Sequence, residues 1–174
     1  HKCQTMEPVC VETRALLIDA GAQVPKLRED GQPCDLKIHQ AMRASDVDKL
    51  TAMNNEGVNF DCFDAVGFTP LMDATEQNQP AIAQLFITRM QVSVSAQAPD
   101  GTTALLIAAV TENPELVKML LDAGANVEGG TGSSKRQTGK TPLIEATKLS
   151  NLAIVRLLLE ANANPNVADV QGRT

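Results

Sequence analysis

The stretch of this sequence that most resembles a catalytic motif is glycine-rich and ends in Gly-Lys-Thr, at Gly132–Thr141. A phosphate-binding loop needs four residues between its two glycines, so that successive backbone N–H groups converge on the phosphate oxygens. Here six residues separate Gly132 from Gly139, and no hydrophobic strand precedes them. The spacing therefore argues against nucleotide binding, and no cofactor is expected.

Carboxylates recur at related positions, since Asp73 and Glu76 stand three residues apart and Glu145 precedes Lys148 by three. Paired carboxylates can act as general acid and base, but only in a pocket that holds a water or a nucleophile between them. The sequence contains no recognisable Ser-His-Asp or Cys-His arrangement of catalytic residues. We therefore expect these carboxylates to be solvated, and we do not expect an enzyme.

The cysteines could form disulfides, bind zinc or remain free thiols. No two of them have the Cys-x2–4-Cys spacing of a zinc site, and the two histidines do not complete one, so no metal is expected. A chain of this length can bury a core without disulfides, and intracellular thiols are kept reduced. Reduced thiols are therefore the expectation, with disulfides as the alternative. The residues concerned are Cys3, Cys10, Cys34, Cys62, His1 and His39.

Composition limits the partners. The net charge of −6 and the absence of Trp and Tyr argue against direct nucleic-acid binding, which uses clustered cations and stacking rings. No apolar run is long enough for a membrane span, and the first residues lack the apolar core of a signal peptide. These features predict an intracellular protein, cytoplasmic or nuclear, with no membrane insertion in this segment. The first residues look like the cut end of a longer chain.

Two short sequence motifs recur along the chain with the same spacing. The first motif begins with a glycine, at Gly67, Gly101, Gly139 and Gly172, and only the interval between Gly101 and Gly139 is longer. The second motif is an apolar stripe, and its last position lies at the same distance from each of the first three glycines, at Met90, Gly124 and Asn162. Two motifs that keep a constant separation indicate a structural repeat.

Each repeat has the signals of two helices. Thr69, Thr103 and Thr141 are suited to cap a first helix, predicted at Leu71–Glu76, Ala104–Val110 and Leu143–Lys148. Pro80, Pro114 or Asn151 then marks the turn into a second helix, whose apolar residues recur at i, i+3 and i+4. Gly124, or Asn162 in its place, is expected to stop the second helix in a left-handed conformation. The repeat is therefore a helix pair.

The phrase Gly-x-Thr-Pro-Leu, followed by Leu-Leu and Gly-Ala-Asn, resembles the ankyrin repeat, whose signature is Thr-Pro-Leu-His-x-Ala. The resemblance implies an all-α solenoid of stacked helix pairs with hairpin-like tips. Residues 62–174 match as regular repeats that start near 64, 98 and 136, with a further unit truncated at 174. Residues 1–61 match as divergent repeats of the same continuous array, in which Ala15–Ala22 looks like a second helix. In the regular units the histidine slot holds Met72, Leu106 and Ile144.

The resemblance also implies function. Ankyrin arrays bind partner proteins, so we expect a protein–protein interaction module of an intracellular signalling, scaffold or transcription-regulating protein, monomeric when free. The stretches Arg136–Thr141 and Leu158–Asn164 are further similar to the intracellular ankyrin array of Notch-type receptors. Two alternatives stay open: a targeting or autoinhibitory region of a larger enzyme or channel, and a groove that binds a small nucleotide.

The expected binding surface is the concave groove and the tips. Its candidate residues are those that we expect to be free of structural roles: Asp64, Val66, Phe68, Asp73, Glu76, Thr102, Glu145 and Lys148. Their largely acidic character favours a partner segment containing Lys or Arg. An insertion between units carries Lys135 and Arg136, and it is either a tolerated surface loop or part of the binding face.

Overall fold

A computed structural model of the protein describes residue 34 and residues 36–129 and 140–168, which belong to one compact unit, residues 31–174. These described residues contain eight α-helices in four consecutive pairs. The pairs are α1 (Leu36–Arg43) and α2 (Val47–Asn55), α3 (Pro70–Glu76) and α4 (Pro80–Thr88), α5 (Ala104–Val110) and α6 (Pro114–Asp122), and α7 (Pro142–Lys148) and α8 (Leu152–Glu160). The first helices pack in chain order, α1 on α3, α3 on α5 and α5 on α7, so the structure is an all-α stack of helix pairs.

The first helices begin where the threonines predict. The hydroxyl groups of Thr69, Thr103 and Thr141 accept hydrogen bonds from the N–H groups three positions later, at 3.3, 3.2 and 3.1 Å. Each bond satisfies one of the donors that a helix start leaves without a partner. The proline that follows two of these threonines loses nothing, because its position needs no donor.

Short hairpin-like turns precede α3 and α5. The N–H group of Asp64 donates to the carbonyl of Phe68 at 2.8 Å, and the N–H group of Ala98 donates to that of Thr102 at the same distance. These two turns, residues 64–68 and 98–102, are the tips. Gly67 turns the first of them in the left-handed region, at φ 90°.

The second helices α6 and α8 end as predicted. Gly124 and Asn162 have φ of 83° and 64°, the left-handed conformation that stops a helix. In the preceding unit the equivalent slot is Met90, but the left-handed residue is the next one, Gln91, with φ of 50°. The physical reason is packing: the Met90 side chain is half-buried against the core, so the exposed glutamine takes the turn conformation.

The core consists of aliphatic side chains and small residues. Ala74, Ala108 and Ala146 occupy one slot of successive first helices and are fully buried. A methyl group at each of these positions lets neighbouring helices approach closely. The one ring contact among the described residues joins Phe60 and Phe86, with centroids 5.6 Å apart.

The α1–α2 pair diverges from this pattern at one buried slot. Ile82, Leu116 and Ile154 fill the slot in α4, α6 and α8, whereas α2 has Lys49, which is exposed. Burial of one such aliphatic side chain is worth about 1.5–3 kcal/mol, so the pair is held by less apolar contact than the regular units. This slot lies within residues 1–61, which the sequence predicts to be divergent repeats.

The expectation of reduced thiols is wrong for the two cysteines that the structure describes. Cys34 and Cys62 form a disulfide, with their Cα atoms 5.0 Å apart. The cause is tertiary: the chain enters α1 beside the loop that leads from α2 to α3, where the N–H group of Cys34 also donates to the carbonyl of Phe63 at 3.1 Å. Cys3 and Cys10 lie outside the described residues.

Candidate functional site

The stacked first helices present one continuous row of side chains, which we call the first-helix face. It is defined by two repeat positions: the first holds Gln40, Asp73, Ile107 and Glu145, and the second holds Arg43, Glu76, Val110 and Lys148. The residues of a position are in register because the repeat interval brings each to the same point of its helix, and the helices pack in chain order. The face therefore includes four of the predicted site residues.

The centre of the first-helix face is apolar, which the sequence analysis missed. Val110 is 51% exposed, between Glu76 and Lys148 of the neighbouring units, while Ile107 beneath it is buried. The repeat pattern does not identify Val110 as exposed, because a valine at the end of a helix is equally compatible with burial. Val110 is the last residue of α5, and its exposure depends on how the helices pack, which the repeat pattern does not describe.

Asp73 does not point freely into solvent. Its carboxylate pairs with His39 on α1, with 3.0 Å between Nδ1 and Oδ2, and both side chains are largely buried. The hydrogen bond with Asp73 is the main cause of a raised pKa at His39; the charges of Asp73 and Asp64 also raise it, and burial and Arg43 oppose the shift. Asp73 therefore links two units of the stack.

His39 is a second residue that the sequence analysis missed, although a signal was present. Ile38-His39-Gln40-Ala41 stands one repeat before Leu71-Met72-Asp73-Ala74, so His39 fills the histidine slot of the ankyrin signature in the divergent unit. A search for Ile-His-x-Ala as well as Leu-His-x-Ala would have found it.

Asp64 is structural, which corrects the expectation that it is free of such a role. It is only 8% exposed, and one carboxylate oxygen accepts hydrogen bonds from the N–H groups of Val66 and Phe68, at 3.0 and 2.7 Å. Burial is the main cause of a raised pKa at this carboxyl, which those two hydrogen bonds partly offset. Its side chain shapes the tip instead of facing a partner.

The other predicted tip residues differ in exposure. Val66, in the middle of its turn, is 68% exposed. Phe68 is half-buried and packs against the core, so only part of its ring is available. Thr102 is also half-buried, and its hydroxyl donates to Asp100 at 2.9 Å. Val66 is therefore the tip residue that offers the most apolar surface.

The charges of the face are partly neutralised within the chain. The Nζ atom of Lys148 lies 2.8 Å from a carboxylate oxygen of Glu145, and the Asp73 carboxylate is paired with His39. Glu76 is exposed and forms no ion pair with another described residue. The face is thus less acidic than the sequence suggests, with Glu76 as its most available carboxylate.

Lys135 and Arg136 of the insertion lie outside the described residues. Within the residues that are described, no group of three or more His, Cys, Asp or Glu side chains is placed to hold a metal ion. None of the described helices is both long enough and apolar enough to cross a membrane.

The similarity of this chain to known proteins agrees with the observed stack of helix pairs. The family described as Ankyrin repeats (3 copies) matches residues 38–131 and 83–169, which together make up more than half of the chain. The chain belongs to the ankyrin-repeat family, whose members are generally non-catalytic modules for protein–protein interaction.

Two of its relatives are Notch proteins. The chain is 32% identical over 117 residues to the human neurogenic locus notch homolog protein 4, and the match covers 67% of this chain and 6% of that protein. It is 28% identical over 93 residues to the neurogenic locus Notch protein of Drosophila melanogaster, covering 53% of this chain and 3% of the relative. A putative ankyrin repeat protein of Acanthamoeba polyphaga mimivirus is 29% identical over 102 residues, covering 55% and 10%. The chain spans a tenth or less of each relative's length.

Proposed function

We propose that this array binds a partner protein through the first-helix face and the exposed tip at Val66, without catalysing a reaction. The observation that carries the proposal is Val110, an aliphatic side chain that is half-exposed in the middle of a row of charged residues. Apolar side chains surrounded by polar ones are typical of the centre of a protein interface. The polar neighbours Glu76 and Lys148 would form the rim.

The chemistry of the face indicates the kind of partner. We propose a segment that places an aliphatic side chain on Val110 and a Lys or Arg beside Glu76. Because Asp73 is paired with His39 and Glu145 with Lys148, attraction to a basic segment would come mainly from Glu76. An exposed pair of this kind contributes chiefly to the association rate and is screened by salt.

The test is affinity capture from a native extract with quantitative mass spectrometry, comparing wild type with Val110→Ser. Leu152→Ser is the matched control, since Leu152 is 71% exposed but lies on the second helix α8. We expect a set of proteins that is captured by wild type and by the Leu152 variant but is lost with Val110→Ser. If Val110→Ser captures the same proteins as wild type, the first-helix face is not the binding surface.

The charge component has its own test. Glu76→Gln should slow association with a captured partner at low salt and flatten the dependence of the association rate on salt. Glu115→Gln is the control, because Glu115 is exposed on the second helix α6. An unchanged salt dependence in Glu76→Gln would remove the basic-segment part of the proposal.

At the level of the whole protein, we propose a module of an intracellular signalling, scaffold or transcription-regulating protein, cytoplasmic or nuclear and monomeric when free. The two Notch matches support the signalling version. The alternative is a targeting or autoinhibitory region of a larger enzyme or channel. The sequence of the full-length transcript distinguishes the two, since the alternative requires an enzyme or channel domain in the same chain.

A further inference from the structure

The Cys34–Cys62 disulfide spans the part of the stack that departs most from the repeat. Cys34 precedes α1 and Cys62 follows α2, at a sequence separation of 28, so the bond closes a loop around the whole α1–α2 pair. Neither the binding surface nor the repeat pattern requires this bond.

Non-covalent packing holds the α1–α2 pair less firmly than the other pairs. Helix α1 packs on α3 more sparsely than α3 packs on α5, and α2 makes little contact with α4, whereas α4 and α6 both pack on the next second helix. Lys49 replaces the buried aliphatic side chain that the other second helices have at this slot. The pair is therefore the part of the stack that depends most on additional links.

Polar contacts also attach the pair to the next unit. They include the 3.1 Å hydrogen bond from the N–H group of Cys34 to Phe63 and the His39–Asp73 pair. In addition, Gln79 Nε2 donates to the carbonyl of Met42 at 3.2 Å and to the hydroxyl of Ser45 at 3.5 Å. The Gln79 amide is only partly satisfied, because its Oε1 is buried and has no hydrogen-bond partner among the described residues. These contacts can orient the pair, but none of them restrains the chain as a covalent bond does.

We propose that the Cys34–Cys62 bond is a redox-controlled staple, and that its reduction selectively loosens the α1–α2 pair from α3. A dithiol reductant attacks the sulfur of Cys34, which is half-buried, whereas Cys62 is only 2% exposed. Two electrons and two protons pass to the bond and give two cysteine thiols, while the two thiols of the reductant become a disulfide.

The expected size of the effect follows from chain entropy. With the bond closed, an opened α1–α2 pair remains a tethered loop and gains little freedom. With the bond reduced, the same opening releases the full loop. Even at the lower end of the usual disulfide effect, this raises the ratio of open to closed states by roughly thirtyfold. In a compartment that keeps thiols reduced, the open state would therefore be populated roughly thirtyfold more, and it exposes the side of α3 on which α1 packs.

The experiment is hydrogen exchange with mass spectrometry on the full chain, in a Cys3→Ser and Cys10→Ser background that leaves only the Cys34–Cys62 pair. The oxidised protein is compared with the same protein in dithiothreitol. The proposal expects residues 36–55 to exchange at least about tenfold faster after reduction, while residues 104–122 and 142–160 stay unchanged.

One further variant makes the result decisive. Cys34→Ser in the same background should reproduce the reduced profile without any reductant. If this variant does not fold, the reduction of the Cys3→Ser, Cys10→Ser protein still gives the answer. A smaller acceleration in residues 36–55, an equal acceleration in every helix, or free Cys34 and Cys62 thiols in the protein purified under oxidising conditions would each overturn the proposal.

Discussion

Substitution of Gly67 by alanine tests whether consecutive tips pack as the structure shows. Gly67 has φ of 90°, and a Cβ atom at this position would stand 2.8 Å from Cγ of Pro99 and closer still to its Cδ. Pro99 belongs to the next tip, so the added methyl group would press directly against the neighbouring unit. Gly57 provides a matched control, because it has φ of 81° but no described residue beyond its chain neighbours has an atom within 4 Å of its Cβ position.

The two variants should differ by the cost of that overlap. A left-handed conformation costs an L-residue about 1–2 kcal/mol, and both alanines carry this strain. The overlap with Pro99 adds about 1–3 kcal/mol, as for other insertions into packed contacts. We therefore expect Gly67→Ala to lower the free energy of unfolding by about 2–5 kcal/mol, and Gly57→Ala by about 1–2 kcal/mol.

Urea denaturation followed by far-UV circular dichroism is the appropriate assay, because the chain has no Trp or Tyr for fluorescence. Adding Pro99→Ala to Gly67→Ala should recover most of the difference between the two glycine variants, since it removes the ring that the methyl group meets. Equal losses for Gly67→Ala and Gly57→Ala, with no recovery in the double variant, would refute the packing of the two tips.

Three further predictions concern the stack. His39→Gln should reduce the free energy of unfolding at pH 6, where the charged pair with Asp73 is intact, but not at pH 9. Because the pKa of His39 is raised, the stability that the pair contributes is present at low pH and is lost as the pH rises through that pKa. Urea titrations between pH 6 and pH 9 test this prediction. Thr103→Ala should cost about 1 kcal/mol in the same assay through loss of the cap on α5, and no loss would contradict the capping role. Leu116→Ala should lower the free energy of unfolding by about 2–5 kcal/mol, because the side chain is fully buried. Lys49→Ala, at the equivalent but exposed position of α2, should lower it by less than about 1 kcal/mol. Similar losses would mean that the two helices are aligned wrongly in the repeat.

The sequence was sufficient for the family and for the first helices of the regular units, because the signals involved are local. A threonine cap, a proline in the first turn and a left-handed stop act over a few residues, and their repetition in phase makes each instance support the others. The predicted first helices accordingly agree with the structure to within one residue at α3, α5 and α7. The shift at Met90 is also informative, since burial of its side chain moved the left-handed residue to Gln91.

The tertiary structure decided which side chains are available to a partner and which are not. Asp64 and Asp73 read as surface carboxylates, but folding places one against the backbone of its own turn and the other beside His39 of the preceding unit. Val110, which the sequence does not distinguish from a core residue, is exposed. The Cys34–Cys62 bond likewise depends on two segments that meet only when the α1–α2 pair has folded, since one precedes α1 and the other follows α2. A local pattern specifies how a residue's own helix begins and ends, whereas exposure and pairing depend on what the neighbouring unit brings to the same point in space.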